Sequence, residues 1–130
     1  MMSWHKLIFI KLFFLIVSST LLEAQVDMVG DKFFALNHEE NSVNLPVFSN
    51  FDLNENNFGI NKVIVVIHGL NRNAYDYYSS IEEITSSLGL QNETHIIAPQ
   101  FLLLEDIEHW SLGPTIPYWQ NNTGWITGNQ

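Results

Sequence analysis

The residues best placed to do chemistry lie in one short stretch, Lys62 to Asn73 (KVIVVIHGLNRN). The β-favouring run Val63 to Ile67 leads straight into His68-Gly69 and a polar turn that opens a helix, so a strand ends in an exposed backbone loop. The plainer alternative is a satisfied histidine and a turn glycine that merely end a strand. Other constellations are weaker. His38-Glu39-Glu40 lacks the HExxH spacing and a second ligand at a usual interval, which argues against zinc. Glu105, Asp106 and Glu108 can be drawn as paired carboxylates for glycoside chemistry, but acids this close together in a loop read as solvated. His95 and His109 read as structural. Cysteine is absent, which rules out a disulfide framework, a thiolate nucleophile and a cysteine metal site.

The elements that must position the loop follow from pattern. Gln25 to Glu40 has a mixed pattern, with Phe33-Phe34 as the only strong apolar pair, and reads as a loose lead-in with room for a short strand. Ser42 to Phe48 alternates, with Val43, Leu45 and Val47 on one face, and Pro46 favours an edge strand. Asn54 to Gly59 is a turn. Val63 to Ile67 shows no alternation, which predicts a strand covered on both faces. Asn73 is placed to cap the next helix with its side-chain oxygen, and Asp76 stands at the positive helix end. Tyr77, Ile81, Ile84 and Leu88 form one apolar stripe, and Gly89 fits the position just past the helix, with Leu90 beside it. Thr94 to Ala98 is a second buried strand stopped by Pro99. Strand, helix and strand make a βαβ unit of an α/β fold, whose ligands bind beyond the carboxyl ends of the strands. That edge carries His68-Gly69 and Pro99-Gln100-Phe101. From Leu102 to Gln130, Trp110, Tyr118, Trp119 and Trp125 are interspersed with glycine and proline, which predicts a long aromatic loop.

The chain of 130 residues is long enough for one domain. Its net charge of −9, with only Lys32, Lys62 and Arg72 as bases beyond residue 11, argues against a nucleic-acid partner, which needs clustered Lys and Arg. Residues 1–24 read as a signal peptide: Lys6 and Lys11 form the positive region, Leu12 to Leu22 the apolar core, and cleavage falls after Ala24. The rival is a membrane anchor over residues 7–22, but this apolar run is shorter than a spanning helix requires, so no stable membrane span is expected. Asn92 (Asn92-Glu93-Thr94) and Asn121 (Asn121-Asn122-Thr123) are glycosylation triplets, consistent with a secreted chain.

Taken together, the apolar strand with His68-Gly69, the Arg72-Asn73-Ala74-Tyr75-Asp76 segment, Ala98-Pro99-Gln100-Phe101 and the Tyr118-Trp119, Gly124-Trp125 and Gly128 series resemble the amino-terminal half of an α/β-hydrolase. The likeness is to a branch of secreted hydrolases and runs from about Val43 to the last residue. It implies a partial α/β-hydrolase sheet with one βαβ unit and the long aromatic loop. It further implies that His68, Gly69, Leu70 and Asn71 form an oxyanion-hole loop, with the N–H of Leu70 or Asn71 as donor and His68 shaping the loop without acting as a base. Acyl transfer builds negative charge on a carbonyl oxygen, and fixed N–H groups stabilise it without reorganising. Gln100, Phe101, Trp119 and Trp125 would stand at the pocket edge.

The family's nucleophile lies in G-x-S-x-G, followed by Asp or Glu and then His. None of Gly30, Gly59, Gly69, Gly89, Gly113, Gly124 and Gly128 begins such a motif. The expectation is therefore an incomplete hydrolase domain over residues 25–130, without cofactor or metal and inactive as it stands. It would act on a small-molecule ester or amide only when completed by a carboxyl-terminal half. Two alternatives stay open: a secreted non-catalytic binding module using the aromatic loop, and a small membrane-anchored protein.

Overall fold

The computed structural model describes residues 25–38, 41–122 and 124. The leader read over residues 1–24, Glu39-Glu40, Thr123 and the segment containing Trp125 and Gly128 lie outside the described residues. Strands β1 (Lys32–His38), β2 (Asn41–Ser49), β3 (Lys62–Val65) and β4 (Thr94–Pro99) form a four-stranded mixed sheet in the order β1-β2-β4-β3. β1 and β2 are antiparallel, as are β2 and β4, whereas β3 runs parallel to β4 with Lys62 opposite Thr94. Helix α1 (Ala74–Ser87) joins β3 to β4, giving the expected βαβ unit in a chain of mixed α/β content. Beyond it, β5 (Leu102–Leu103) leads into the short helix α2 (Leu104–His109), and β5 pairs in parallel with β6 (Tyr118–Trp119). Among the described residues no helix is long and apolar enough to cross a membrane.

Two apolar clusters stand out among the described residues. Phe48, Ala74 and Ala98, with Val66 and Tyr78 against them, fill the layer between the sheet and α1. Val26, Leu102 and Ile116, with Val29, Ile107 and Leu112, form a second cluster that ties the lead-in to the β5–α2 region.

Several elements differ from the sequence reading, each for a local reason. The segment read as an edge strand, β2, is paired on both sides. Proline is tolerated because the β2–β4 ladder covers only Val47 to Ser49. The carbonyl of Pro46 accepts the N–H of Gln100 at 2.8 Å, so its missing donor faces the place where that ladder has run out. The strand expected to be covered on both faces, β3, is the outermost strand among the described residues. α1 covers only the face that carries Val66, leaving Val63 61 % and Val65 58 % exposed on the other. The loose lead-in forms a full strand, β1, by hairpin pairing with β2. The expected aromatic loop contains regular structure, α2 and the β5–β6 pair.

Helix α1 turns a different face inward from the one its apolar stripe suggested. Ala74 and Thr85 are buried and Tyr78 and Ile81 half-buried, while Tyr77, Ile84 and Leu88 are exposed. The small Ala74 lets the helix approach Phe48 and Ala98 closely, and the Thr85 hydroxyl is satisfied by the Glu82 carbonyl at 3.0 Å. Nor does Asn73 cap the helix with its oxygen. Its amide donates to the Asp76 carboxylate at 2.6 Å, and its backbone, at φ −81° and ψ 61°, makes an inverse γ-turn in which the Ala74 N–H reaches the Arg72 carbonyl at 3.0 Å. The far end meets expectation. Gly89 has φ +70°, and its N–H and that of Leu90 bond back to Ser86 and Thr85, closing a Schellman motif.

Candidate functional site

The loop between β3 and α1 is a tight turn. The Arg72 N–H donates to the Gly69 carbonyl at 3.1 Å, and Arg72 itself has φ 57°, a conformation that costs a residue with a side chain about 1–2 kcal/mol. Among the described residues the N–H groups of Leu70 and Asn71 have no hydrogen-bond acceptor. Leu70 and Asn71 are exposed, whereas His68 is buried beneath them.

His68 holds the turn from one side. Its Nε2 accepts the N–H of Phe101 at 2.9 Å, so the ring proton sits on Nδ1, which donates to the Gly69 carbonyl at 2.7 Å. Both ring nitrogens are thus committed, and neither is placed to act as a general base. Burial, with a lesser contribution from the Arg72 charge, keeps the imidazole below its ordinary pKa and outweighs the Gly69 bond, so the neutral ring that this geometry requires is the favoured form.

Arg72 holds it from the other. The side chain is 2 % exposed and that of Asp106 0 %. Nε donates to Asp106 Oδ2 at 2.8 Å and Nη2 to Oδ1 at 3.4 Å, while Nη1 reaches the Leu70 carbonyl at 3.4 Å and Asn122 Oδ1 at 3.2 Å. Asp106 also accepts the Val26 N–H at 3.2 Å and the Leu103 N–H at 2.9 Å. The Glu105–Glu108 acids, read from sequence as solvated, therefore include the carboxylate that is buried most completely among the described residues. Only a cation from a distant turn and several N–H donors make that burial tolerable.

Gln100 is wholly buried too. Its amide nitrogen donates to the carbonyls of Met28 and Arg72, at 2.9 and 3.0 Å, and its oxygen accepts the Gly30 N–H at 3.0 Å. It works as a strut between lead-in and turn. Gly30 is needed there, since a Cβ would lie 2.6 Å from the Val47 carbonyl oxygen. Phe101 is half-buried, with its ring 5.7 Å from that of His68. Trp119 lies half-buried on β6, opposite Leu103. Trp110 spends its indole N–H on the Val26 carbonyl, at 3.0 Å.

Beside the turn, Gln25, Val26, Asp27, Met28, Asn71, Asn73 and Asp76 line a cleft of about 300 Å³. Away from it, His95 Nε2 lies 2.8 Å from the Ser49 hydroxyl, and that hydroxyl donates to the Phe51 carbonyl at 2.9 Å, a structural arrangement at the opposite end of β4. Among the described residues no group of His, Asp and Glu side chains converges to hold a metal ion. Asn92 is exposed, although Thr94 of its triplet is buried in β4; Asn121 is exposed and accepts the Gly124 N–H at 2.9 Å. Comparison with known families, characterised proteins and solved structures finds no match to this chain.

Sequence reasoning found the turn but missed its main support. The missed signal was the charge balance. Arg72 is one of very few bases beyond residue 11, set between apolar segments, and a lone arginine beside a strand end needs a carboxylate partner once it is buried.

Proposed function

We propose that residues 25–130 are the amino-terminal half of an α/β-hydrolase domain of a secreted protein, and that they supply the oxyanion-hole side of an acyl-transfer site for a small ester or amide. The nucleophile, acid and base would come from residues other than these 130. The observation that carries this reading is the seated β3–α1 turn, whose Leu70 and Asn71 N–H groups have no acceptor at the carboxyl end of a parallel strand. In α/β-hydrolases an oxyanion donor comes from the loop between the third strand and first helix, and here, among the described residues, that loop follows the third strand and opens the first long helix. The edge of β3 that has no partner strand among the described residues is also where a nucleophile-bearing strand would pair.

The test is to sequence the transcript past Gln130 and express the product of the unbroken reading frame in a secreting host. The expected product contains G-x-S-x-G with a later Asp or Glu and His, is labelled by a fluorophosphonate, and begins at Gln25 by terminal sequencing. A frame that carries no such motif, in a product that takes no label, overturns the proposal.

A further inference from the structure

Arg72 is an unlikely residue for its position on three separate physical grounds. It adopts a left-handed backbone that glycine or asparagine would take more cheaply. It buries a guanidinium almost completely. And its ion pair with Asp106 adds little stability that apolar side chains of similar size would not. What the arrangement does supply is geometry. The guanidinium fork binds Asp106 through two nitrogens while its third nitrogen holds the Leu70 carbonyl and Asn122. The Arg72 N–H closes the turn onto Gly69, and the Arg72 carbonyl is held by Gln100 and Ala74. Asp106 is fixed in turn by the N–H groups of Val26 and Leu103.

We infer that Arg72 is the positioning residue of the β3–α1 turn: clamped by Asp106, it fixes the peptides of Leu70 and Asn71 so that their N–H groups stand ready in one direction. The role deepens the oxyanion-hole reading and rests on it for its purpose, but the rigidity it asserts belongs to this chain alone. Because the Asp106 carboxylate lies against the guanidinium, Arg72 acts through orientation and not through a free positive charge. Lysine cannot replace it, since a single ammonium lacks the planar fork that reaches Asp106, Leu70 and Asn122 at once.

Backbone ¹⁵N relaxation of the full chain tests this. In the unaltered protein the Leu70 and Asn71 amides are expected to be as ordered as the sheet, with order parameters near about 0.85; in Arg72→Lys they drop below about 0.6 while β2 and β4 keep theirs. If Arg72→Lys does not fold, Asn122→Ala removes only the outer end of the clamp and carries the same test, with a smaller drop confined to these two amides. Mobile Leu70 and Asn71 amides in the unaltered chain, or a folded variant with unchanged order, overturn the inference. Neither outcome touches the hydrolase reading, which stands or falls on the labelling of the longer product.

Discussion

His68 shows how one side chain fixes a loop by being neutral. A proton on Nε2 would expel the Phe101 N–H, so the folded state resists protonation and holds the ring below the ordinary value of 6.5. For a base whose folded pKa is depressed, the stability it contributes is complete above the unfolded pKa. It is lost as pH falls from there to the folded value, because the unfolded chain takes up the proton first. His95 is shifted the same way, chiefly by burial and then by Lys32, and it adds to the same trend. The urea midpoint is therefore expected to fall between pH 7.5 and 5.5, a range above most carboxylate titration. Ring-proton NMR should place the His68 midpoint below 6.5, whereas a ring that titrates at or above that value would remove the neutral imidazole from the account of the turn.

At the scale of elements, helix α1 separates what pattern reveals from what packing decides. Its length, its Gly89 stop and its place between parallel strands were legible, because caps and turn glycines act locally. The inward face was not. Tyr77, Ile81, Ile84 and Leu88 make the better apolar stripe, but the sheet accepts the neighbouring face of Ala74, Tyr78, Ile81 and Thr85, whose small members allow close contact. The same limit applies to β3, where an unbroken apolar run looks alike whether the sheet covers it on both faces or only one. It applies also to Asp106, whose burial depends on Arg72 more than thirty residues away in sequence. The turn residues His68 to Asn71 were legible as a cluster because they are consecutive; the Arg72–Asp106–Gln100 support was not, because its members meet only in three dimensions. Mutation separates the two faces of α1. Leu88→Lys, at a side chain 65 % exposed, should change stability by no more than about 0.5 kcal/mol. Thr85→Lys, at a buried position, should cost roughly 2–5 kcal/mol through an unpaired charge and overpacking. Chemical denaturation of both variants measures the contrast, and equal costs would mean that the helix is seated on its apolar stripe after all.

The whole molecule carries an imbalance that follows from those two faces. β3 offers one backbone edge with no strand beside it among the described residues, its Val63 and Val65 stand exposed on the sheet face away from α1, and Tyr77, Ile84 and Leu88 are exposed on the helix that covers the opposite face. Edge strands that remain uncovered in stable proteins are usually guarded by charge, proline or a bulge. β3 has only Lys62, at its first position, and that ammonium is engaged by Glu93 at 3.0 Å. A chain of these residues is therefore expected to self-associate as concentration rises, through pairing along β3. Lysine at both Val63 and Val65 should suppress this, with an unchanged urea midpoint at low concentration. Sedimentation velocity reads the association directly, and a chain that stays monomeric at high concentration without the lysines would show that the edge is protected in some other way. The same substitutions carry a second, opposite expectation. In a longer product whose next strand and helix cover β3, Val65→Lys would bury an unpaired ammonium and cost several kcal/mol. A variant that is silent in the short chain and destabilising in the long one would thus mark this face as an interior surface of a larger sheet.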